Sequence, residues 1–91
     1  MKESTKLYAR DCIKCYVRNQ QSQALNYKAA ANIMKMLSQT DVDIISDVFL
    51  RSDTVEDNIY QIASERNINQ DAIWALLNKI TKLVAKERGL I

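Results

Sequence analysis

NIYQIASERNINQDAIWALLNKI, Asn58 to Ile80, is the stretch whose reading decides the fold. Two apolar-patterned segments meet in it at ERNIN, with neither glycine nor proline between them. Two architectures compete: a helix-turn-helix, or a plain corner in a small helical bundle. A helix-turn-helix crosses two helices steeply through a short turn, and that geometry makes demands in order. A small residue must sit inside the first helix, and Ala63 does, with apolar Ile62 just before it. A residue that tolerates left-handed backbone must stand at the turn, and Asn67 is the usual choice after glycine. An apolar plug follows (Ile68), then a helix cap (Asn69), then apolar residues four and seven positions beyond the cap, Ile73 and Leu76. One slot departs: the residue before the turn is ordinarily apolar, and here it is Arg66.

Outward from this stretch, composition fixes the class. The chain has 91 residues, enough for one modest core, with one glycine and no proline. Hairpins and sandwiches depend on turn residues that this chain almost lacks, whereas Ala, Leu, Lys, Gln and Ile abound, so an all-α fold is expected. A single domain over 1–91 follows, with a helical segment over 1–37 and the helix-turn-helix segment over 38–91. Charge is uneven. Residues 1–21 carry Lys2, Lys6, Arg10, Lys14 and Arg18 against Glu3 and Asp11, net +3, and residues 22–66 are net −3. Residues 67–91 carry Lys79, Lys82, Lys86 and Arg88 against Asp71 and Glu87, net +2. A phosphate-binding surface therefore belongs at the basic ends. No stretch approaches the roughly 18 apolar residues of a membrane span. No apolar signal core follows the N-terminus, so a cytoplasmic protein with reduced Cys12 and Cys15 is expected.

Apolar spacing and caps give about five helices. Ser4 or Thr5 caps the first, whose inner side is Leu7, Tyr8, Cys12, Cys15 and Tyr16, with Ile13 and Val17 nearby. The second runs from about Ala24 to Leu37 with Leu25, Ala29, Ile33, Met36 and Leu37 inward. Whether Asn19–Gln23 breaks the chain or one helix continues from about 4 to 37 is open. Thr40 caps a third helix that buries Val42, Ile45, Val48 and Phe49, with Asp41 and Asp43 on the helix dipole. Asp53 and Glu56 read as a capping box for a fourth, Thr54 to Arg66, that buries Val55, Ile59, Ile62 and Ala63. In the last, capped by Asn69, the residues Ile73, Leu76, Leu77, Ile80, Leu83 and Val84 fall within about 120°. Asp71, Ala75, Asn78, Lys79, Lys82 and Lys86 lie opposite, Trp74 and Thr81 at one edge, and Gly89 ends the helix.

LSQTDVDIISDVFL followed by IYQIASERNINQDAIWALLNKITKLVAKERG resembles region four of bacterial sigma factors, and more closely the short transcription regulators with that domain encoded by phages of Gram-positive bacteria. The match covers about Leu37–Gly89; the insertion RSDTVEDN and a recognition helix poor in basic residues depart from the family, and the first forty residues match nothing in it. The resemblance implies a sequence-specific DNA-binding transcription regulator of phage or mobile-element origin. Its partners would be double-stranded DNA and RNA polymerase. Its DNA-facing slots fall on Asn69, Gln70, Asp71, Trp74, Ala75 and Asn78, with Lys79, Lys82 and Lys86 against the backbone. The side-chain amides of Gln70 and Asn78 suit bidentate pairing with adenine. Asp71 repels phosphate but can accept from cytosine, and Asn69 can offer a helix N-terminus to phosphate. Trp74 fits poorly as an exposed reader and equally suits a core edge or a dimer seam. The alternative function is a helical interaction or dimerisation module without DNA binding, in which Trp74 and the Tyr8, Tyr16 and Tyr27 side form a homodimer or partner seam.

Other patterns imitate chemistry. Cys12 and Cys15 form a C-x-x-C, but there is no second pair and no histidine to complete a zinc site, and no strand for a thioredoxin motif. Asp41, Asp43 and Asp47 lack an accompanying nucleophile or phosphate loop. The sequence therefore points to a protein that is not an enzyme and uses no cofactor.

Overall fold

In a computed structural model, which describes residues 1–91, the chain forms five α-helices: α1 (Glu3–Val17), α2 (Ala24–Met34), α3 (Gln39–Leu50), α4 (Val55–Arg66) and α5 (Gln70–Glu87). All five contribute to one hydrophobic core. No helix is long and apolar enough to cross a membrane.

Two helices, not one, span the first third. Asn19 adopts left-handed backbone (φ 55°). The turn is closed by Gln20 N–H donating to Cys15 O at 2.8 Å, while the Cys15 thiol donates to Gln20 O at 3.1 Å. Asparagine stands in for the missing glycine, because its short polar side chain lowers the cost of positive φ. α1 starts at Glu3 with no side-chain cap, so Ser4 and Thr5 lie inside its first turn. Its buried stripe is Ala9, Cys12, Ile13 and Cys15, whereas Leu7 and Tyr8 are exposed. Small residues win the inner face because they let a neighbouring helix approach closely. α2 likewise buries Ala29, Ala30, Ile33 and Met34 and leaves Leu25 and Met36 exposed. It ends at Met34, before the Leu37 expected from spacing, so Met36 leaves the helical register that would have turned it inward.

Caps sit one or two residues from their expected places. Ser38 caps α3, accepting from Asp41 N–H at 3.2 Å, and Thr40 falls within the helix. Thr54 caps α4, accepting from Asp57 N–H at 3.1 Å. Asp53 instead accepts from Gln61 Nε2 at 3.0 Å. A hydroxyl with extended backbone three residues before a free amide outcompetes its neighbours.

The corner between α3 and α4 is held by polar groups. The buried Asn58 amide donates to Val48 O at 2.8 Å, and also to Asp53 O and Arg51 O at 3.1 and 3.3 Å. Arg51 pairs with Asp47 (2.9 Å) and with Glu65, joining α3 to the far end of α4. These contacts hold the corner RSDTVEDN together without a glycine.

α5 is the hub and packs against each of the other four helices. Ile73, Leu77, Ile80, Val84 and Ala85 are buried, and Leu76 and Leu83 lie partly buried beside them. Thr81, placed at the stripe's edge by the sequence, is fully buried and satisfies its hydroxyl by donating to Leu77 O at 2.6 Å. Leu77→Ala should lower stability by about 2–5 kcal/mol in urea unfolding, as large-to-small core changes do. Leu25→Ala, at a site 67% exposed, should change it by less than about 0.5 kcal/mol.

Candidate nucleic-acid interface

The corner between α4 and α5 is three residues long, Asn67 to Asn69. Asn67 has φ 53° and ψ 47°, squarely left-handed. Its own N–H and that of Ile68 both donate to Ala63 O, the latter at 3.0 Å, which satisfies a carbonyl that the helix end would otherwise orphan. Ala63 is buried where the chain doubles back, and Ile68 packs partly buried against the core beside Ile62 and Ile73. Arg66, the residue that departs from an apolar slot, points its charge across to α3, donating from Nη2 to Asp47 Oδ2 at 3.1 Å. The misfit is thereby turned into a tie between α3 and the turn.

Asn69 then starts α5, its Oδ1 accepting from Asp71 N–H at 2.8 Å. That leaves the Gln70 N–H without a protein acceptor at the positive end of the helix dipole. With the apolar stripe of α5 turned inward, Asn69, Gln70, Asp71, Ala75, Asn78, Lys79 and Lys82 are all exposed, as is Lys86. None of the charged members of this row is in an ion pair. Arg88 is different. It is half-buried, donates from Nε to Asn26 Oδ1 at 2.9 Å and lies over the Tyr8 ring. It serves as a latch onto α1 and α2 rather than as a free cation.

Trp74 is half-buried and packs against the core, and the Arg10 guanidinium lies 5.7 Å from its ring centroid. It is therefore a contact between α5 and α1 within one chain. Tyr16 and Tyr27 also meet within the chain, ring centroids 5.3 Å apart, joining α1 to α2. The Cys12 and Cys15 thiols are buried, and burial raises both above the ordinary thiol range. Asp43 accepts from Gln39 and Asp47 is taken up by Arg51 and Arg66, so two of the three acidic residues of α3 make structural contacts.

In the sequence Arg10 is one of five cations at the basic N-terminal end, with no individual role. It is half-buried, its Nε and Nη2 have no hydrogen-bond partner, and burial lowers its affinity for the proton despite nearby Glu3. The available signal was spacing: Lys6, Arg10, Lys14 and Arg18 recur every four residues and share one side of α1. Comparison with protein-family models, curated proteins and solved structures gives no match to this chain.

Asn67→Val should destabilise the fold by about 1–2 kcal/mol in chemical unfolding, because a β-branched residue resists positive φ, whereas Asn67→Gly should be tolerated. Hydrogen bonds from Arg51, then from Arg66, hold the Asp47 carboxyl below its ordinary range. Such a group stabilises the fold above its unfolded pKa, about 3.9, and the contribution is lost as pH falls through the lowered folded value. Acid titration should therefore show a small loss below about pH 4 that Asp47→Asn removes; it stays small because the pairs are partly exposed.

Proposed function

We propose that this protein is a DNA-binding regulator that reads duplex DNA with the exposed face of α5. One observation carries the reading: a left-handed turn at Asn67 presents a helix whose outward face holds Gln70, Asp71, Asn78, Lys79 and Lys82, exposed and free of ion pairs. Amide side chains with paired donors and acceptors match the major-groove edge of adenine, and flanking lysines match phosphate. A face built to dock another helix would be apolar; the exposed apolar residues here are only the small Ala72 and Ala75. The resemblance to region four of sigma factors supports a role in transcription, with RNA polymerase as a second partner and a phage or mobile-element origin.

In this mechanism the Gln70 N–H and the dipole of α5 anchor one phosphate at the helix start. Gln70 and Asn78 make the base contacts. Lys79, Lys82 and Lys86 hold the backbone and carry no sequence information. Asp71 opposes non-specific binding and restricts its own position to a base pair that offers a donor, such as cytosine N4. The face is thus weak on random DNA and depends on few base contacts.

Three lysines neutralising three phosphates give a log–log salt slope of about −3 from α5 alone. Gln70→Ala and Asn78→Ala should each relax preference at one base pair by about 1–3 kcal/mol in competition binding. Lys82→Ala should weaken all sequences evenly, and Asp71→Asn should strengthen binding. Duplex binding that ignores salt, or that survives loss of Gln70 and Asn78 with its sequence preference intact, would overturn the reading.

A further inference from the structure

A second basic surface lies next to the reading face, in a groove of about 230 Å³ between α1 and the α3–α4 corner. Arg10 and Lys14 of α1 and Arg18 just past its end line one side, and Ser52, Asp53, Val55 and Asn58 of the corner line the other. That volume holds several waters, enough to admit phosphate oxygens.

The three α1 cations are not used up by the fold. Lys14 is in no ion pair and no side-chain hydrogen bond, and Arg18 commits only Nε, to Phe49 O at 3.1 Å. Arg10 is the informative one. Buried guanidinium nitrogens normally find an acceptor, because leaving a charged donor unpaired is costly. Here Nε and Nη2 are buried without one, and the guanidinium carbon lies 5.7 Å from the Trp74 ring centroid. Arg51, also on the groove wall, is neutralised by Asp47 and Glu65. Val55, the first residue of α4, lines the groove too, but Glu56 and Asp57 in the same first turn offset the positive end of that helix dipole. Against the cations also stand two lining carboxylates, Asp11 and Asp53.

Position joins the groove to α5. Trp74, under Arg10, lies one helical turn from both Asp71 and Asn78 on the surface of α5. From there Arg10, Lys14 and Arg18 extend about 12 Å along α1 at the helical rise. A helix lying in a major groove about 12 Å wide has a phosphate strand along each rim. We infer that the α1 groove, through Arg10, Lys14 and Arg18, seats the sugar–phosphate backbone of the duplex that α5 reads. This rests on the DNA-binding reading. It gives the N-terminal segment a part in binding: α1 would set the register of α5 on the duplex without reading sequence.

The test is fluorescence anisotropy with labelled random and selected duplexes on the full chain, across a salt series. The wild-type slope should be about −5 rather than −3, since six cations instead of three would displace counterions. Lys14→Ala, at an exposed site outside the core, should weaken every sequence about 3- to 10-fold and lower the slope by about 1. Asp11→Asn should strengthen binding, and Lys28→Ala on α2 should leave the slope unchanged. A wild-type slope near −3 that Lys14→Ala does not alter overturns the groove while leaving the reading by α5 intact. Absence of any duplex binding at low salt overturns both. Equal, Lys14-dependent binding to poly-glutamate would make the groove a site for acidic chains, which overturns the nucleic-acid backbone as its occupant.

Discussion

Burial of one stripe of α5 is the constraint on which the rest depends. Ile73, Leu77, Ile80 and Val84 are each no more than 1% exposed, and the helix that carries them touches all four others. Burying each such side chain is worth about 1.5–3 kcal/mol, so rotating α5 by even a quarter-turn would forfeit several of these contributions at once. The rotation of the helix is therefore fixed by its apolar side. Its polar side, from Gln70 to Lys82, is oriented outward as a consequence and needs no interaction of its own to hold it there. That is how a face with few fixed contacts can still be rigid enough to be a reading surface.

The second constraint is how the chain turns without glycine or proline. Asn19 and Asn67 both take positive φ, and each closes a helix through amide hydrogen bonds to a carbonyl near the helix end. The α3–α4 corner is built differently, by the Asn58 amide and by Arg51 bridging Asp47 and Glu65. Arg66 joins the same acidic group from the end of α4. The ion network thus links the corner before α4 with the turn after it, and α4 is held at both ends on α3.

Much of this is legible in the sequence, and the parts that are not have physical reasons. The α5 stripe, the role of Asn67 and the Asn69 cap all follow from local chemistry: a long amphipathic period, a residue that tolerates left-handed backbone, and a side chain that reaches a free amide. α1 and α2 are harder. Leu7, Leu25 and Met36 fit a helical period as well as the residues that are buried, and only the close approach of neighbouring helices selects the small Ala9 and Ala30 instead. The caps Ser38 and Thr54 sit beside equally competent Thr40 and Asp53, and backbone geometry decides among them. Trp74 looks ambiguous because its partner, Arg10, is far away in sequence and reaches it only through tertiary packing. The direction of the α1 cations, toward the α3–α4 corner, has the same long-range origin.

Under the proposed function α5 is the reading element and α1 its flank, with the remaining helices as support. The most direct measurement is a titration of the full, isotopically labelled chain with a short duplex, followed by backbone amide chemical shifts in NMR. The largest changes should fall on Asn69–Asn78 and on Arg10–Arg18, with the amide of Gln70 among the most affected. Changes centred instead on the exposed Leu25 and Met36 side, or no changes at low salt with the fold intact, would contradict it.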